Sequence, residues 1–464
     1  MTQIFPTDIP SHEPKTSRRG VFSWMLFDWA AQPYHTLLVT FIFAPYFVAF
    51  VAPSGVEGQA LWGYATSAAG LIIALSAPLL GVFSDRLGPK KPWIAVFSLM
   101  AVIGATSLYL AEPGGSAPIL LILTAYALAL VGIELAAVFI NAMMPNLVPR
   151  AQIGKLSGSG WALGYIGGLV ALILCLGFMS ANPQTGKTLL GFAPVLGLDP
   201  LSHEGDRAAG PFSALWYFIF VIPFFLFTPD MGKRQNSGMS VGDGLKKLVA
   251  TFRSLPQRRS YFSFLISSML YRDGLNALYA FGGIYAAGVL RLPILSIGVF
   301  GIIAAASGAL GAFIGGRLDT RFGPRPVVFV SCWLLVLACV IVVSTTPDTF
   351  LFFLPVASQS LPLLVFYFAG ALIGAAGGAL QAASRTLLID QVSPKEATEA
   401  FGIYALAGRA TAFVGPLAVA IFTTLTQSQR FGITPVIVLI GAGAIGLFWV
   451  KTSHSDEHVL AAKS

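Results

Sequence analysis

The sequence predicts an all-α membrane protein, with twelve transmembrane helices in two six-helix bundles. The chain of 464 residues is 56% hydrophobic and only 10% charged, with a mean hydropathy of +0.77, whereas a soluble domain carries about 25% charged residues. Apolar runs of the roughly 20 residues that cross a bilayer as a helix recur along the chain. A charged turn between two such runs occurs twice, once in each half of the sequence.

The apolar runs also define the domain organisation. We expect a polar N-terminal tail at 1–20, a first bundle at 21–228, a linker at 229–259, a second bundle at 260–451 and a tail at 452–464. The stretch 350–356 either extends a neighbouring span or lies at the membrane interface. The loop 182–210 is either a lid or a disordered connection. The predicted spans are 21–51, 59–83, 93–111, 118–142, 157–180, 212–228, 260–288, 294–316, 327–346, 361–388, 398–425 and 432–451.

The repeated turn relates the two halves. Its first copy reads GVFSDRLGPKKP from Gly81 to Pro92, and its second reads GGRLDTRFGPRP from Gly315 to Pro326. A repeat at this distance indicates duplication of a half-protein rather than a solenoid of small units, an organisation typical of transporters. The candidate gating residues are Gly81, Asp85, Arg86, Gly88, Lys90, Lys91, Gly315, Asp319, Arg321, Gly323 and Arg325.

The basic residues predict the orientation in the membrane. With the N-terminus in the cytoplasm, 22 of the 28 Lys and Arg residues fall on the cytoplasmic side, as the positive-inside rule requires. The net charge of +8 therefore indicates topology and not a nucleic-acid partner. We expect a monomer in the inner bacterial membrane, with both termini cytoplasmic and the lipid bilayer as its surroundings.

These features resemble the major facilitator superfamily, whose signature loop between the second and third spans has the form Gly81-x-x-x-Asp85-Arg86-x-Gly88-x-Lys90-Lys91. The resemblance implies the major facilitator fold, with the first, fourth, seventh and tenth spans lining a central cavity. Asn146 departs from the vacuole effluxer-like branch, where an acidic residue is expected. The stretches that resemble this branch are Phe27–Ala30, Asn141–Leu147, Ser159–Tyr165, Asp273–Gly274, Gln381–Arg385 and Phe401–Tyr404.

A gating role for the repeated turn follows from its residue types. Gly81 and Gly315 lack a side chain, so a helix from the other half can approach them closely. Asp85 and Asp319 are able to cap a neighbouring helix or to pair with an arginine. We expect these contacts when the cytoplasmic side is shut. The alternative is a basic loop that only sets the topology.

Five charged residues lie well inside the predicted spans, away from the span ends: Asp28, Glu134, Arg272, Asp273 and Arg409. A charge at the bilayer centre costs about 2.5–3.5 kcal/mol, so each needs a partner or a function. Adjacent helical residues point about 100° apart, so Arg272 and Asp273 face different surroundings, and we expect Arg409 to neutralise Asp273.

The functional interpretation of these charges is that one carboxylate carries a coupling proton. Glu134 is favoured because no basic residue lies near it in the sequence. His35 is a further candidate proton carrier. The alternatives are that all five charged residues form structural pairs between helices, or that they bind substrate directly.

Polar and aromatic side chains on the presumed lining helices indicate a solute with both charged and apolar parts. Each alone is more often an interhelical hydrogen bond than a ligand contact, so their concentration on four helices is the observation that matters. The candidate cavity residues are Gln32, Tyr34, Tyr126, Asn141, Tyr271, Asn276, Tyr279, Gln381, Ser384 and Arg385.

The sequence carries no HExxH, P-loop or G-x-S-x-G motif, so we expect neither an enzyme nor a metal or cofactor site. Three hypotheses remain. The first is a proton-coupled secondary transporter of a small organic solute, with amino-acid export implied by the effluxer resemblance. The second is an exporter of amphipathic compounds such as drugs or lipids. The third is a non-transporting receptor, which the paired gate loops disfavour because a receptor needs no gates.

Overall fold

The computed structural model is almost entirely helical. It describes residues 16–87, 89–115, 117–149, 153–230, 255–356, 360–392 and 397–451. Ten helices in these ranges are long and apolar enough to cross a membrane. Two more long helices, Gly55–Leu87 and Arg259–Gly288, lie where the second and seventh spans were predicted. A long helix therefore occupies each of the twelve predicted positions.

The helices are numbered in chain order, and the first six pack together as one half and the last six as the other. The eleventh consists of two consecutive segments. The bounds are Arg18–Val51, Gly55–Leu87, Lys91–Leu110, Ile119–Leu147, Ile153–Phe178, Glu204–Phe227, Arg259–Gly288, Ile294–Phe322, Pro324–Ser344, Leu361–Ile389, Ala397–Thr411 with Val414–Thr426, and Gln429–Trp449.

Two small hairpins interrupt the helical pattern. Ala181–Asn182 pairs with Lys187–Thr188, and Thr349–Phe350 pairs with Leu354–Pro355, both antiparallel. The loop after the fifth helix is ordered, since the Asp199 carboxylate accepts hydrogen bonds from the N–H groups of Leu201 at 3.0 Å and Ser202 at 3.1 Å. The hydrogen bond from the Leu201 N–H is the main reason that the pKa of Asp199 is lowered, and Ser202 adds to the effect.

The first helix is irregular in its second half. Pro33 lacks an N–H and cannot donate the hydrogen bond that an α-helix requires. The next segment, Tyr34–Phe41, widens into a π-helix, and the Thr40 hydroxyl donates to the His35 carbonyl at 3.0 Å. Wide turns of this kind are rare and often lie at functional sites. The turn here carries His35.

Glycines allow the eighth and tenth helices to pack closely. Gly311 lies against Ala375 and Gly374 against Ala304, and a side chain at either glycine would overlap the facing backbone. Gly315 continues this seam and packs on Ala379. Both helices of this seam belong to the second half, so Gly315 contacts its own half here, and the close approach of a helix from the other half when the cytoplasmic side is shut stays a prediction.

The two halves are joined at the end of the bundle where the first helix finishes. Gln59 of the second helix is fully buried, and its amide donates to the Thr423 hydroxyl at 2.7 Å and to the Gln429 carbonyl at 3.1 Å. The Ser67 hydroxyl donates to the Phe413 carbonyl at 3.0 Å. All these hydrogen bonds between the halves come from the second helix. We call this end the closed end.

The repeated turns lie at the opposite end. Gly88 lies outside the described residues, as do the side chains of Asp85 and Arg86 and the surroundings of Gly81. The Asp319 side chain is buried. Arg321 lies 5.2 Å from the ring centre of Phe322, and no described arginine forms an ion pair with Asp319.

Other contacts of the turns also stay within one half. Gly323 adopts a left-handed φ of 82° between the eighth and ninth helices. Arg325 donates to the Phe448 carbonyl at 3.3 Å. The Nζ of Lys90 donates to the Ala142 carbonyl at 3.0 Å and the Nζ of Lys91 to the Phe225 carbonyl at 2.7 Å.

A carboxylate caps the third helix, but it comes from outside the repeated turn. The backbone N–H groups of Lys90 and Lys91 donate to the two oxygens of Asp230, at 2.9 and 3.0 Å. The first N–H groups of a helix have no partner within it, and a carboxylate satisfies both their hydrogen bonds and the helix dipole. Asp230 therefore fastens the end of the sixth helix to the start of the third.

We predict that Asp230→Ala lowers the stability of the first half by about 1 kcal/mol, since an N-terminal cap contributes about that much. The measurement is the apparent melting temperature of purified protein in detergent. Asp230→Asn keeps one acceptor oxygen and should lie between the wild type and the alanine variant. Equal melting of Asp230→Ala and wild type would contradict the capping role.

Candidate functional site

Three ionisable side chains from different helices meet halfway through the bundle. Glu134 of the fourth helix lies between His35 of the first and Arg409 of the eleventh. The His35 Nε2 is 3.7 Å from Glu134 Oε1, and an Arg409 guanidinium nitrogen is 4.0 Å from Glu134 Oε2. All three side chains are about one-third exposed (34%, 29% and 31%). Because Arg409 belongs to the other half, the cluster bridges the space between the halves.

Two hydrogen bonds hold the first helix against the fourth near this cluster. The Trp24 indole N–H donates to the Ile140 carbonyl at 2.9 Å, and the Tyr34 hydroxyl donates to the Tyr126 carbonyl at 3.0 Å. On the fourth helix the two acceptors lie on either side of Glu134, and on the first helix Tyr34 directly precedes His35. The positions of both side chains are thus set by the packing of the first half alone.

The cluster corrects two expectations from the sequence. Arg409 was expected to neutralise Asp273, but it lies beside Glu134 instead. Glu134 was favoured as a proton carrier because no basic residue lies near it in the chain, yet folding brings two basic side chains to it. Glu134 is therefore part of a cluster of ionisable side chains from both halves.

Asp273 lies in a different setting. Its side chain is buried, with 3% exposure, and its Oδ1 has no hydrogen-bond partner. Thr411 and Arg272 are the polar neighbours of the carboxylate. Arg272 turns towards the Tyr404 carbonyl, to which it donates at 3.0 Å, and its guanidinium carbon lies 4.1 Å from the centre of that ring. The adjacent pair therefore diverges, as its spacing on the helix predicts.

Asp28 packs on a glycine face of the fifth helix. A Cβ placed on Gly160 would lie 2.5 Å from Asp28 Oδ2, and one on Gly164 would lie 3.2 Å from Asp28 Cβ. The second half repeats this arrangement, since Arg272 of the seventh helix lies over Gly408 of the eleventh. The first and fifth helices of one half correspond in order to the seventh and eleventh, so both halves place an ionisable side chain on a glycine.

Several predicted cavity residues are hydrogen bonded inside one half. The Tyr126 hydroxyl pairs with Thr66 at 3.0 Å, and the Tyr271 hydroxyl pairs with Ser384 at 2.8 Å. Tyr34, Tyr126, Tyr271 and Ser384 are all buried. Gln32 is half-buried against Gly168, whereas Asn141 and Asn276 are exposed. The buried residues match the alternative of interhelical hydrogen bonds, and their role in transport remains a prediction.

The fifth and tenth helices each present a pair of side chains, spaced four residues apart, to the other helix. Trp161 and Tyr165 are four residues apart, as are Gln381 and Arg385. The Arg385 guanidinium carbon lies 5.8 Å from the Trp161 ring centre. The Gln381 amide lies beside the hydroxyls of Tyr165 and Tyr279. Trp161 and Tyr165 are about half exposed (47% and 49%), so they present aromatic surface to the space between the halves.

Trp161 and Tyr165 were not among the predicted cavity residues. The fifth helix was not counted among the four lining helices, so its side chains were considered only for packing. The sequence did contain a signal for them, because the two aromatic residues are four positions apart and each directly follows a glycine, at 160 and 164. It places the aromatic pair on one face of the helix.

Solved structures that superpose on this chain include transporters. The chain superposes on a D-xylose–proton symporter with a TM-score of 0.67 and 13% identity, covering 93% of this chain and 98% of that one. A bacterial homolog to the human lysosomal transporter Spinster, in an inward-facing and unoccupied conformation, gives a TM-score of 0.64 and 15% identity, covering 93% and 95%. The chain therefore shares the fold of these transporters, and the predicted fold class is confirmed.

The sequence comparison then defines the family. Residues 48–459 match the model described as vacuole effluxer Atg22 like, and the chain belongs to this family. YxiO of Bacillus subtilis (strain 168), described as an uncharacterized MFS-type transporter, is 25% identical over 441 residues, covering 94% of this chain and 95% of that protein. Autophagy-related protein 22-1 of Neosartorya fischeri is 24% identical over 329 residues, covering 67% of this chain and 50% of the fungal protein.

We predict that Gly160→Ala destabilises the first half by about 1–3 kcal/mol, the usual cost of overpacking, because the new methyl group meets the Asp28 carboxylate. Adding Asp28→Ala should recover part of the loss by removing the overlapping atoms. Melting temperatures of the single and double variants test this coupling.

Gly158→Ala is the matched control for this pair of variants, since a Cβ there meets nothing within 4 Å. It should melt at the wild-type temperature or slightly above it, because alanine favours a helix more than glycine does. If Gly160→Ala and Gly158→Ala behave alike, Asp28 does not occupy the space over Gly160.

Proposed function

We propose that the chain is a secondary active transporter that moves a small organic solute between its two halves by alternating access. The observation that supports this is the Glu134–Arg409 contact. It joins opposite charges from the two halves at mid-membrane, where an intramembrane charge is costly and usually functional. A contact of this kind has to form and break as the halves rock.

The charges on the two facing halves suit a zwitterionic solute, and we propose amino acids as the substrate class. An ammonium group would pair with Glu134 and a carboxylate with Arg409, replacing the contact between them. The exposed rings of Trp161 and Tyr165 offer a surface for the apolar part of the solute. The effluxer description of the family favours export.

The proposed orientation follows the distribution of basic residues, with both termini in the cytoplasm of a cell whose inner membrane holds the protein. The closed end is then external, and we propose that this conformation faces the cytoplasm. A structural neighbour is described as inward-facing and unoccupied, which agrees with this interpretation.

Proton coupling is assigned here to Asp273 rather than Glu134. Glu134 has Arg409 and His35 beside it, whereas the buried Asp273 carboxylate lacks an ion-pair partner among the described residues and leaves one oxygen without a hydrogen bond. An unpaired buried charge is costly. Asp273 is thus the better candidate for a group that is charged in one step of the cycle and neutral in another.

An exporter of amphipathic compounds is the second candidate function. Trp161 and Tyr165 are the observation that favours it, since broad aromatic surfaces bind apolar solutes without fixed hydrogen bonds. Such an exporter would accept solutes that lack either an ammonium or a carboxylate group.

Counterflow of labelled amino acids into proteoliposomes tests the proposed substrate class. The wild type should accumulate label in exchange for internal unlabelled amino acid, and Glu134→Gln and Arg409→Gln should each reduce the initial rate by at least about tenfold, as loss of about 1.4 kcal/mol of binding would do. Glu57→Gln, which changes an exposed carboxylate at the start of the second helix, should not change the rate.

The failure patterns of this assay separate the hypotheses. Exchange of apolar cations or lipids but not of amino acids would favour the amphipathic exporter. Absence of exchange with every solute class, by protein that folds normally, would favour a receptor.

Asp273→Asn should separate transport from proton coupling. We expect the variant to catalyse counterflow at close to the wild-type rate but to lose the stimulation by an imposed pH gradient, since the amide cannot exchange a proton. The gradient-driven rate divided by the counterflow rate is the quantity to measure. A ratio equal to that of the wild type would exclude Asp273 as the coupling group.

A further inference from the structure

Two apolar turns project from the closed end of the bundle, one in each half. The first, which we call tip A, consists of Leu189, Leu190 and Phe192 after the hairpin that follows the fifth helix. The second, tip B, consists of Leu351–Leu354, which are the three turn residues and the first residue of the second strand in the hairpin between the ninth and tenth helices. All seven side chains are exposed, from 38% for Leu351 to 76% for Phe353. Large apolar surfaces that a protein leaves uncovered usually mark an interaction site.

Both tips have a fixed geometry. In tip B, Leu351 and Phe352 adopt left-handed φ values of 50° and 71°, which side chains other than glycine rarely take. The Phe352 N–H donates to the Ser344 carbonyl at 2.9 Å. The hairpin and this hydrogen bond hold the turn in place, and its apolar side chains remain exposed.

Tip A is fastened in a similar way. The Leu189 N–H donates to the Leu176 carbonyl at 2.9 Å, and the rings of Phe178 and Phe192 stack with their centres 6.2 Å apart. Each tip is thus hydrogen bonded to the last turn of a membrane-spanning helix.

The lengths of these helices place the tips at the membrane boundary. The ninth helix, Pro324–Ser344, has 21 residues, as has the apolar span Gly158–Phe178 of the fifth. At 1.5 Å per residue each is about 31 Å long, which matches the hydrocarbon thickness of a bilayer. Ser344 and Phe178 therefore lie close to the edge of the hydrocarbon, and the tips bonded beside them lie at the same depth.

A basic residue stands beside tip B at this level. Arg430 donates to the Val343 carbonyl at 2.7 Å, and its guanidinium carbon lies 5.0 Å from the Phe352 ring centre. Aromatic and basic side chains together are typical of the zone where lipid headgroups meet acyl chains.

We propose that tips A and B insert into the lipid headgroup–acyl boundary of the leaflet at the closed end, so that each half has its own interfacial anchor. The apolar side chains of the tips lie at the same depth as the lipid-facing ends of the fifth and ninth helices. The occupant is phospholipid, and this assignment does not depend on which solute is transported.

Nitroxide labels at the tips test this assignment. Leu190→Cys and Phe353→Cys are made in a chain whose buried Cys175, Cys332 and Cys339 are replaced by alanine, and the labelled protein is reconstituted in phosphatidylcholine–phosphatidylglycerol vesicles. Collisional relaxation by oxygen, which enriches in lipid, is compared with relaxation by a water-soluble nickel chelate. At both tips oxygen should be the stronger relaxant by several fold.

Two control positions calibrate the measurement. Gln184→Cys, exposed in the turn of the first hairpin, should relax mainly through nickel, and the lipid-exposed Val438→Cys of the twelfth helix should show a greater depth than either tip. Nickel access at the tips equal to that at Gln184 would show that they face water. Exclusion of both relaxants would show that protein covers them. Either result overturns the proposal.

Discussion

The interaction on which the account depends is the contact between Glu134 and Arg409. A single charge at mid-membrane costs about 2.5–3.5 kcal/mol on insertion scales, and each of these residues lowers that cost for the other. Because they belong to different halves, the contact exists only while the halves are close at that level. His35, on the π-helical turn of the first helix, adds a third titratable group to the same point. A solute that binds between the halves therefore changes the electrostatics that hold them together.

The rest of the fold makes movement of the halves possible without unfolding them. Within each half, glycine seams such as that of Gly311 and Gly374 bring helix backbones into contact and make the half rigid. Between the halves, the hydrogen bonds of the closed end come from the second helix. Gln59 Oε1 and Gln429 Nε2 are buried there without partners, so the closed end does not satisfy all the polar groups that it covers. Such an interface is able to open at modest cost.

The spans and their order could be predicted from the sequence because about 20 apolar residues are needed to cross a bilayer, whatever their neighbours. The partner of Arg409 could not be predicted in this way. The pairing depends on the rotation of each helix about its axis and on which helices become adjacent. Gly315 shows the same limit of prediction from residue type. Its small size predicts that a helix packs closely against it, but it does not predict which helix. Tyr271 and Ser384 satisfy each other inside one half, a choice that residue type alone leaves open.

An exchange of the two charges tests the central contact most directly. Glu134→Arg and Arg409→Glu alone each place like charges together between the halves, whereas the double variant restores an opposite pair with the positions reversed. The account predicts that counterflow is lost in both single variants and recovers in the double variant to a level clearly above either. A double variant no more active than the singles, although folded and inserted, would contradict the claim that these residues act as a pair.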